Sequence, residues 1–162
     1  MTAQRRELKG WRRGIALIAL LAFCSGSGRA ATTAPVVADR FTGLAIGGFD
    51  PVAYFTDGRP LRGDPGFELM QAGAVWRFRS ESNRAFFVAH PEIYGPQFGG
   101  YDPVDVARGV AYPGNPQFWL VSEKRLYLFG RVETRDAFAA APARVLQDAR
   151  KRWDELQAEL PR

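Results

Sequence analysis

Two hairpin-like runs, a helix-start phrase used twice and a long amphipathic stripe predict an α+β fold, a compact single domain of short β-hairpins and helices with a C-terminal amphipathic helix. In the first run, residues 67–71 and 74–79 flank Ala72-Gly73; in the second, residues 117–121 and 126–129 flank Ser122-Glu123-Lys124-Arg125. Arms rich in aromatic and aliphatic residues around a short turn are the local signature of a hairpin. The phrase Gly47-Gly48-Phe49-Asp50-Pro51-Val52 is answered by Gly99-Gly100-Tyr101-Asp102-Pro103-Val104. In both, Asp can accept from backbone N–H groups while Pro sets φ for a first helical position. The stripe Val145, Ala149, Trp153, Leu156 and Leu160 recurs at spacings of three and four, which is one face of a helix.

The formal charge of +5 resides in the first 30 residues, where Arg5, Arg6, Lys9, Arg12, Arg13 and Arg29 stand against Glu7. The remainder is balanced, so no basic footprint for nucleic acid falls on the folded part. Those 30 residues read as an export signal. A positive stretch precedes an apolar run over residues 14–23, too short to span a bilayer, and Gly28-Arg29-Ala30 offers a small-x-small cleavage site. The product is expected in the periplasm or outside the cell. Leu21-Ala22-Phe23-Cys24 also resembles a lipid-attachment sequence, with bulky Phe23 where a small residue belongs, so membrane association is expected only through the signal or an anchor at Cys24. Cys24 is the only cysteine. The mature domain is therefore cysteine-free, without disulfides or thiolate metal sites, and relies on its apolar core.

The expected organisation is a signal peptide over residues 1–30, a linker over 31–43, a main domain over 44–130 and a helical extension over 131–162 packing on it. Val52 to Phe55 should make one helical turn, ended by Asp57-Gly58. Residues 59–66, with two Pro and two Gly, form a loop before the first hairpin. Ser80 caps a helix running to Ala89, and Pro91 ends it or starts a last turn. A short helix over residues 103–108 stops at Gly109, and the second hairpin follows a loop over 111–116. The six-residue phrase does not extend into a longer sequence match, and is read as a recurrent local solution and not as a duplication.

Chemistry has few candidates. His90 is the only histidine, so no His–His or His–Cys site can form within one chain. Asp102 and Asp105 lie three apart on a short helix face, which suits a hard cation or an acid–base pair with His90, and equally suits an N-cap with a first-turn acid. Asp50 and Asp102 read either as two helix starts or as two carboxylates edging a pocket. Tyr54, Trp76, Tyr94, Phe98, Tyr101 and Trp119 could line such a pocket or make up the core. No haem, nucleotide or thiolate-metal motif is present, and Ser-based catalysis lacks its context.

Three phrases carry a family resemblance. Gly48-Phe49-Asp50-Pro51-Val52-Ala53-Tyr54-Phe55 is followed by Trp76-Arg77-Phe78-Arg79-Ser80 with Asn83-Arg84-Ala85-Phe86. The third is His90-Pro91-Glu92-Ile93-Tyr94-Gly95-Pro96-Gln97-Phe98-Gly99-Gly100-Tyr101. Together they resemble the YHS domain family, in the exported bacterial form that stands alone, and the resemblance covers most of the chain after the signal. It implies a compact α+β unit of small hairpins and helices, with residues 44–130 as the YHS-like domain. Family members linked to heavy metals carry F-C-S-x-x-C, where this chain has Phe78-Arg79-Ser80 and Asn83. Exported relatives often have Cys after GGY, where this chain has Asp102. Neither Arg nor Asn replaces a thiolate as a soft-metal ligand. The expected function is a non-catalytic exported binding or accessory module of the cell envelope. It would serve an envelope protein or small ligand through a pocket of Asp50, Tyr54, Trp76, Tyr94, Tyr101 and Asp102, with Asp102, Asp105 and His90 as the metal-binding option. The alternative is a small hydrolase or isomerase using Asp102 and Asp105 with His90.

Overall fold

A computed structural model of the chain describes residues 36–160. The expected signal, its cleavage site and Cys24 lie outside the described residues. The fold is α+β, built from two antiparallel hairpins and six helices among the described residues. Strands β1 (Asp64–Gln71) and β2 (Ala74–Phe78) form the first hairpin, and β3 (Asn115–Ser122) and β4 (Arg125–Phe129) the second. The helices are α1 (Ala53–Thr56), α2 (Glu81–Ala89), α3 (Pro91–Tyr94), α4 (Pro103–Ala107), α5 (Val132–Ala140) and α6 (Pro142–Glu159). No helix among the described residues is long and apolar enough to cross a membrane.

The repeated phrase, expected to be a recurrent local solution, is the visible end of a structural duplication. A shift of 51 residues carries the register of the first hairpin onto the second: Asp64 opposite Phe78 becomes Asn115 opposite Phe129, and Leu69 opposite Trp76 becomes Leu120 opposite Tyr127. Both hairpins slip register at the same place, between Asp64 and Glu68 and between Asn115 and Trp119. The shift continues through the helices. Ser80 and Arg131 precede α2 and α5 with nearly identical extended backbones, φ −154° and −155° with ψ 163° in both. Phe87 packs on Trp76 and Phe78 at 4.8 and 5.3 Å between ring centroids; Phe138 packs on Tyr127 and Phe129 at 4.9 and 5.3 Å. Residues 44–94 and 96–145 are thus one unit used twice.

Local chemistry explains the conserved geometry of the two units. Ile46, Gly47 and Gly48 run at φ 43°, 62° and 78°, and Phe98, Gly99 and Gly100 at 53°, 62° and 91°. Consecutive left-handed residues are costly with a Cβ, which is why the turn spends two glycines. Gly63 and Gly114 meet a different demand: a Cβ would lie 2.5 Å from the Arg77 backbone or 2.6 Å from the Gly100 carbonyl oxygen. Each loop crosses its hairpin too closely for any side chain. The units part at their ends. Pro91 opens α3 and Pro142 opens α6, but Gly95-Pro96 stops α3 after four residues because the residue before Pro avoids the helical region. With no such stop, α6 runs for 18 residues.

The hairpins sit differently in the core. On β2, Ala74, Trp76 and Phe78 are buried while Val75 and Arg77 are half-buried, so one face packs inward. On β4, Leu126 and Leu128 join the first unit's cluster while Tyr127 and Phe129 face the second. The second hairpin therefore lies between both clusters, matching its unbroken apolar run Leu126-Tyr127-Leu128-Phe129. Tyr54 fastens the units together. Its hydroxyl donates to the Pro116 carbonyl at 3.0 Å and its ring meets Trp119 edge-on at 5.2 Å. Residues 36–43, expected as a linker, make a turn held by Asp39, and Val37 donates to the Gly99 carbonyl at 2.8 Å.

Burial, with the nearby Asp50 charge adding to it, pushes the Tyr54 hydroxyl well above the ordinary tyrosine range. The folded state keeps this proton after the unfolded chain has lost it, so its contribution is complete below about pH 10 and falls as pH rises further. Tyr54→Phe is expected to cost about 1 kcal/mol at neutral pH. In urea titrations above pH 10, the variant should lose stability less steeply than the parent. Some decline should remain, because burial also raises Tyr101 and Tyr127.

Candidate functional site

The two repeated aspartates occupy equivalent, fully buried places. Asp50 Oδ1 accepts from the Val52 N–H at 2.8 Å, while Oδ2 accepts from the Arg79 N–H at 2.8 Å and the Asn83 Nδ2 at 2.6 Å. Asp102 Oδ1 accepts from the Val104 N–H at 2.9 Å, and Oδ2 from the Gly130 N–H at 2.8 Å and the Thr134 hydroxyl at 2.5 Å. Each carboxylate thus ties a helix start to the end of a hairpin and the first turn of the next helix. Residues 79 and 83 of one unit correspond to 130 and 134 of the other. Asn and Thr supply the same donor by different chemistry.

This arrangement corrects the expectation that Asp50 and Asp102 edge a pocket. Both are enclosed, and both of their oxygens are engaged by internal donors. The aromatics expected around them serve as packing. Trp76 lies in the first cluster, Tyr94 packs edge-on against Phe55 at 5.2 Å, and Tyr101 and Phe98 pack on Trp153 at 5.9 and 5.6 Å. The half-buried Trp153 thereby holds α6 to the second unit.

Nor do Asp102, Asp105 and His90 assemble. Asp105 Oδ1 is bound by Arg131 at 2.9 Å and Arg108 at 3.3 Å, while its buried Oδ2 has no partner among the described residues. The hydrogen bond to Asp105 raises the already high pKa of the Arg131 guanidinium further. His90 is 57% exposed, and its Nδ1 lies 3.5 Å from Glu92, its own neighbour in sequence. No group of three or more His, Cys, Asp or Glu that could hold a metal ion occurs among the described residues. Asn83 turns its amide toward Asp50, and Arg79 offers only cationic donors. The residues present do not fit a soft metal.

An open recess of about 280 Å³ was not anticipated from the sequence. It is lined by Arg62, Gly63, Asp64, Pro65 and Arg79. The Arg62 guanidinium stacks over the Phe49 ring at 4.4 Å and donates to the Gly47 carbonyl at 2.5 Å. Arg79 is anchored through its backbone to Asp50 and its side chain is exposed. Residues 62 and 79 are 17 apart in sequence with a whole hairpin between them, so no local pattern pairs them. Comparison with family models, with curated proteins and with solved structures finds no match for this chain.

Asp102→Asn should lower stability by about 2–3 kcal/mol in urea unfolding, because an amide presents a donor to groups that already donate. Asp50→Asn should cost a similar amount, as its surroundings are the same. Thr134→Val keeps the shape and removes one donor, for an expected loss of about 1–2 kcal/mol.

Proposed function

We propose that this chain is an exported, non-catalytic binding or accessory module of the cell envelope, of the YHS-like kind that its phrases resemble. The observation that carries the reading is how the carboxylates are used. Asp50 and Asp102 give both oxygens to internal donors, which leaves neither free to bind a cation or relay a proton. A scaffold cross-tied in this way, with an open recess on one unit, suits holding a ligand more than turning one over. The α+β arrangement of hairpins and short helices supports the resemblance. The hydrolase or isomerase alternative is disfavoured because His90 stands exposed beside Glu92 and does not cluster with Asp102 and Asp105, and because Asp105 is held by arginines.

Fractionation of cells producing the full chain with a C-terminal tag tests the reading. The protein should be recovered outside the cytoplasm, and its mass should place the first residue at Ala31. A diacylated Cys24 as first residue would keep the export and add a membrane anchor. Full-length protein confined to the cytoplasm would overturn the proposal. Calorimetric titration of the recovered protein with zinc, calcium and magnesium should show no saturable heat.

A further inference from the structure

We propose that the recess of the first unit binds a small oxyanion between the guanidinium groups of Arg62 and Arg79. This rests on the binding-module reading and gives it a ligand class. The duplication supplies the argument. In the second unit the corresponding positions are Pro113 and Gly130, and the Tyr112 ring lies so close that a Cβ on Gly130 would sit 2.5 Å from it. Arg131 then covers that ring from 5.3 Å. The corresponding place in the second unit thus holds a proline, a glycine and the Tyr112 ring in place of the two arginines. In the first unit two arginines stand there and the space is open.

Neither arginine is neutralised. Arg79 makes no side-chain hydrogen bond or ion pair among the described residues, and Arg62 has no carboxylate partner there. Asp64, the acid in the lining, turns Oδ1 to the Gly66 N–H at 2.7 Å and pairs with neither arginine. Arg62 is positioned by Phe49 and the Gly47 carbonyl, which leaves guanidinium donors for a ligand; Arg79 has its Cα fixed by the buried carboxylate behind it. Planar guanidinium forks match carboxylate and phosphate oxygens, and partial pre-ordering lowers the entropy lost on binding.

The test is a titration followed by amide chemical shifts, with inorganic phosphate in one arm, citrate in a second and sodium chloride at matched ionic strength as reference. Saturable shifts at Gly63, Asp64 and Arg79 are expected, with a dissociation constant of about 1–10 mM for these simple probes. Saturation by phosphate alone assigns phosphates or phosphate esters, by citrate alone carboxylates, and by both oxyanions in general. Arg79→Gln should weaken binding by about tenfold or more while leaving the thermal midpoint unchanged, because its side chain supports nothing else. Shifts no different from those of chloride, or equal affinity in Arg79→Gln, would overturn the assignment. That failure leaves export and the binding-module reading standing, whereas cytoplasmic retention of the full chain defeats that reading whatever the titration gives.

Discussion

A carboxylate removed from water needs its oxygens answered by donors, and Asp50 and Asp102 have all four answered, whereas the buried Asp105 has only one of its two oxygens engaged among the described residues. Asp50 and Asp102 are fully buried, and each reaches three separate stretches of its unit: the helix start beside it, the residue leaving the hairpin, and the first turn of the next helix. Because a half-satisfied buried charge would be worse than none, the positions around it are constrained to donate. Asn83 and Thr134 meet that constraint with an amide and a hydroxyl. The hairpin-to-helix joint and the turn before the Asp are therefore fixed by one group, and the left-handed glycines deliver the chain to it.

Around these two joints the units share one plan and differ in their surroundings. The first hairpin keeps a wetter face, where Arg77 pairs with Glu68 at 2.7 Å. In the second, the matching cross-strand pair is Trp119 and Leu128, because that hairpin is covered on both sides. Divergence at the ends follows the same logic. Gly95-Pro96 cuts α3 short where the chain must enter the second unit, while α6 is free to run on and bring Trp153 against Phe98 and Tyr101.

The functional consequence is that acidic residues which look reactive in the sequence are occupied by the fold. The recess formed by Arg62 and Arg79 lies instead on the first unit, at positions where the second unit needs only Pro113 and Gly130. A ligand site at that place costs the scaffold little. Both arginines are exposed, so these positions can differ between units that must otherwise fold alike.

Much of the fold was legible in the sequence. Both hairpins, the Ser80-capped helix, the short helix after Asp102 and the long C-terminal helix follow from turn chemistry, capping and period, all of which act within a few residues. The duplication was only partly legible. Pro65, Phe67, Leu69, Phe78, Phe87, Ala89 and Pro91 each recur 51 residues on, but the DPV phrases stand 52 apart, and that one-residue difference hides the longer match. Pro142 suits a helix first turn and α6 does begin there, whereas α5 before it carries no comparable cap or periodic signal in the sequence. What only the tertiary structure decided is the fate of individual side chains. Whether Asp50 faces a ligand or three internal donors depends on Arg79 and Asn83, about 30 residues away, and whether two arginines share a recess depends on a hairpin folding back between them. Sequence spacing determines which face of an element a residue occupies; what that face meets is set by packing across the chain.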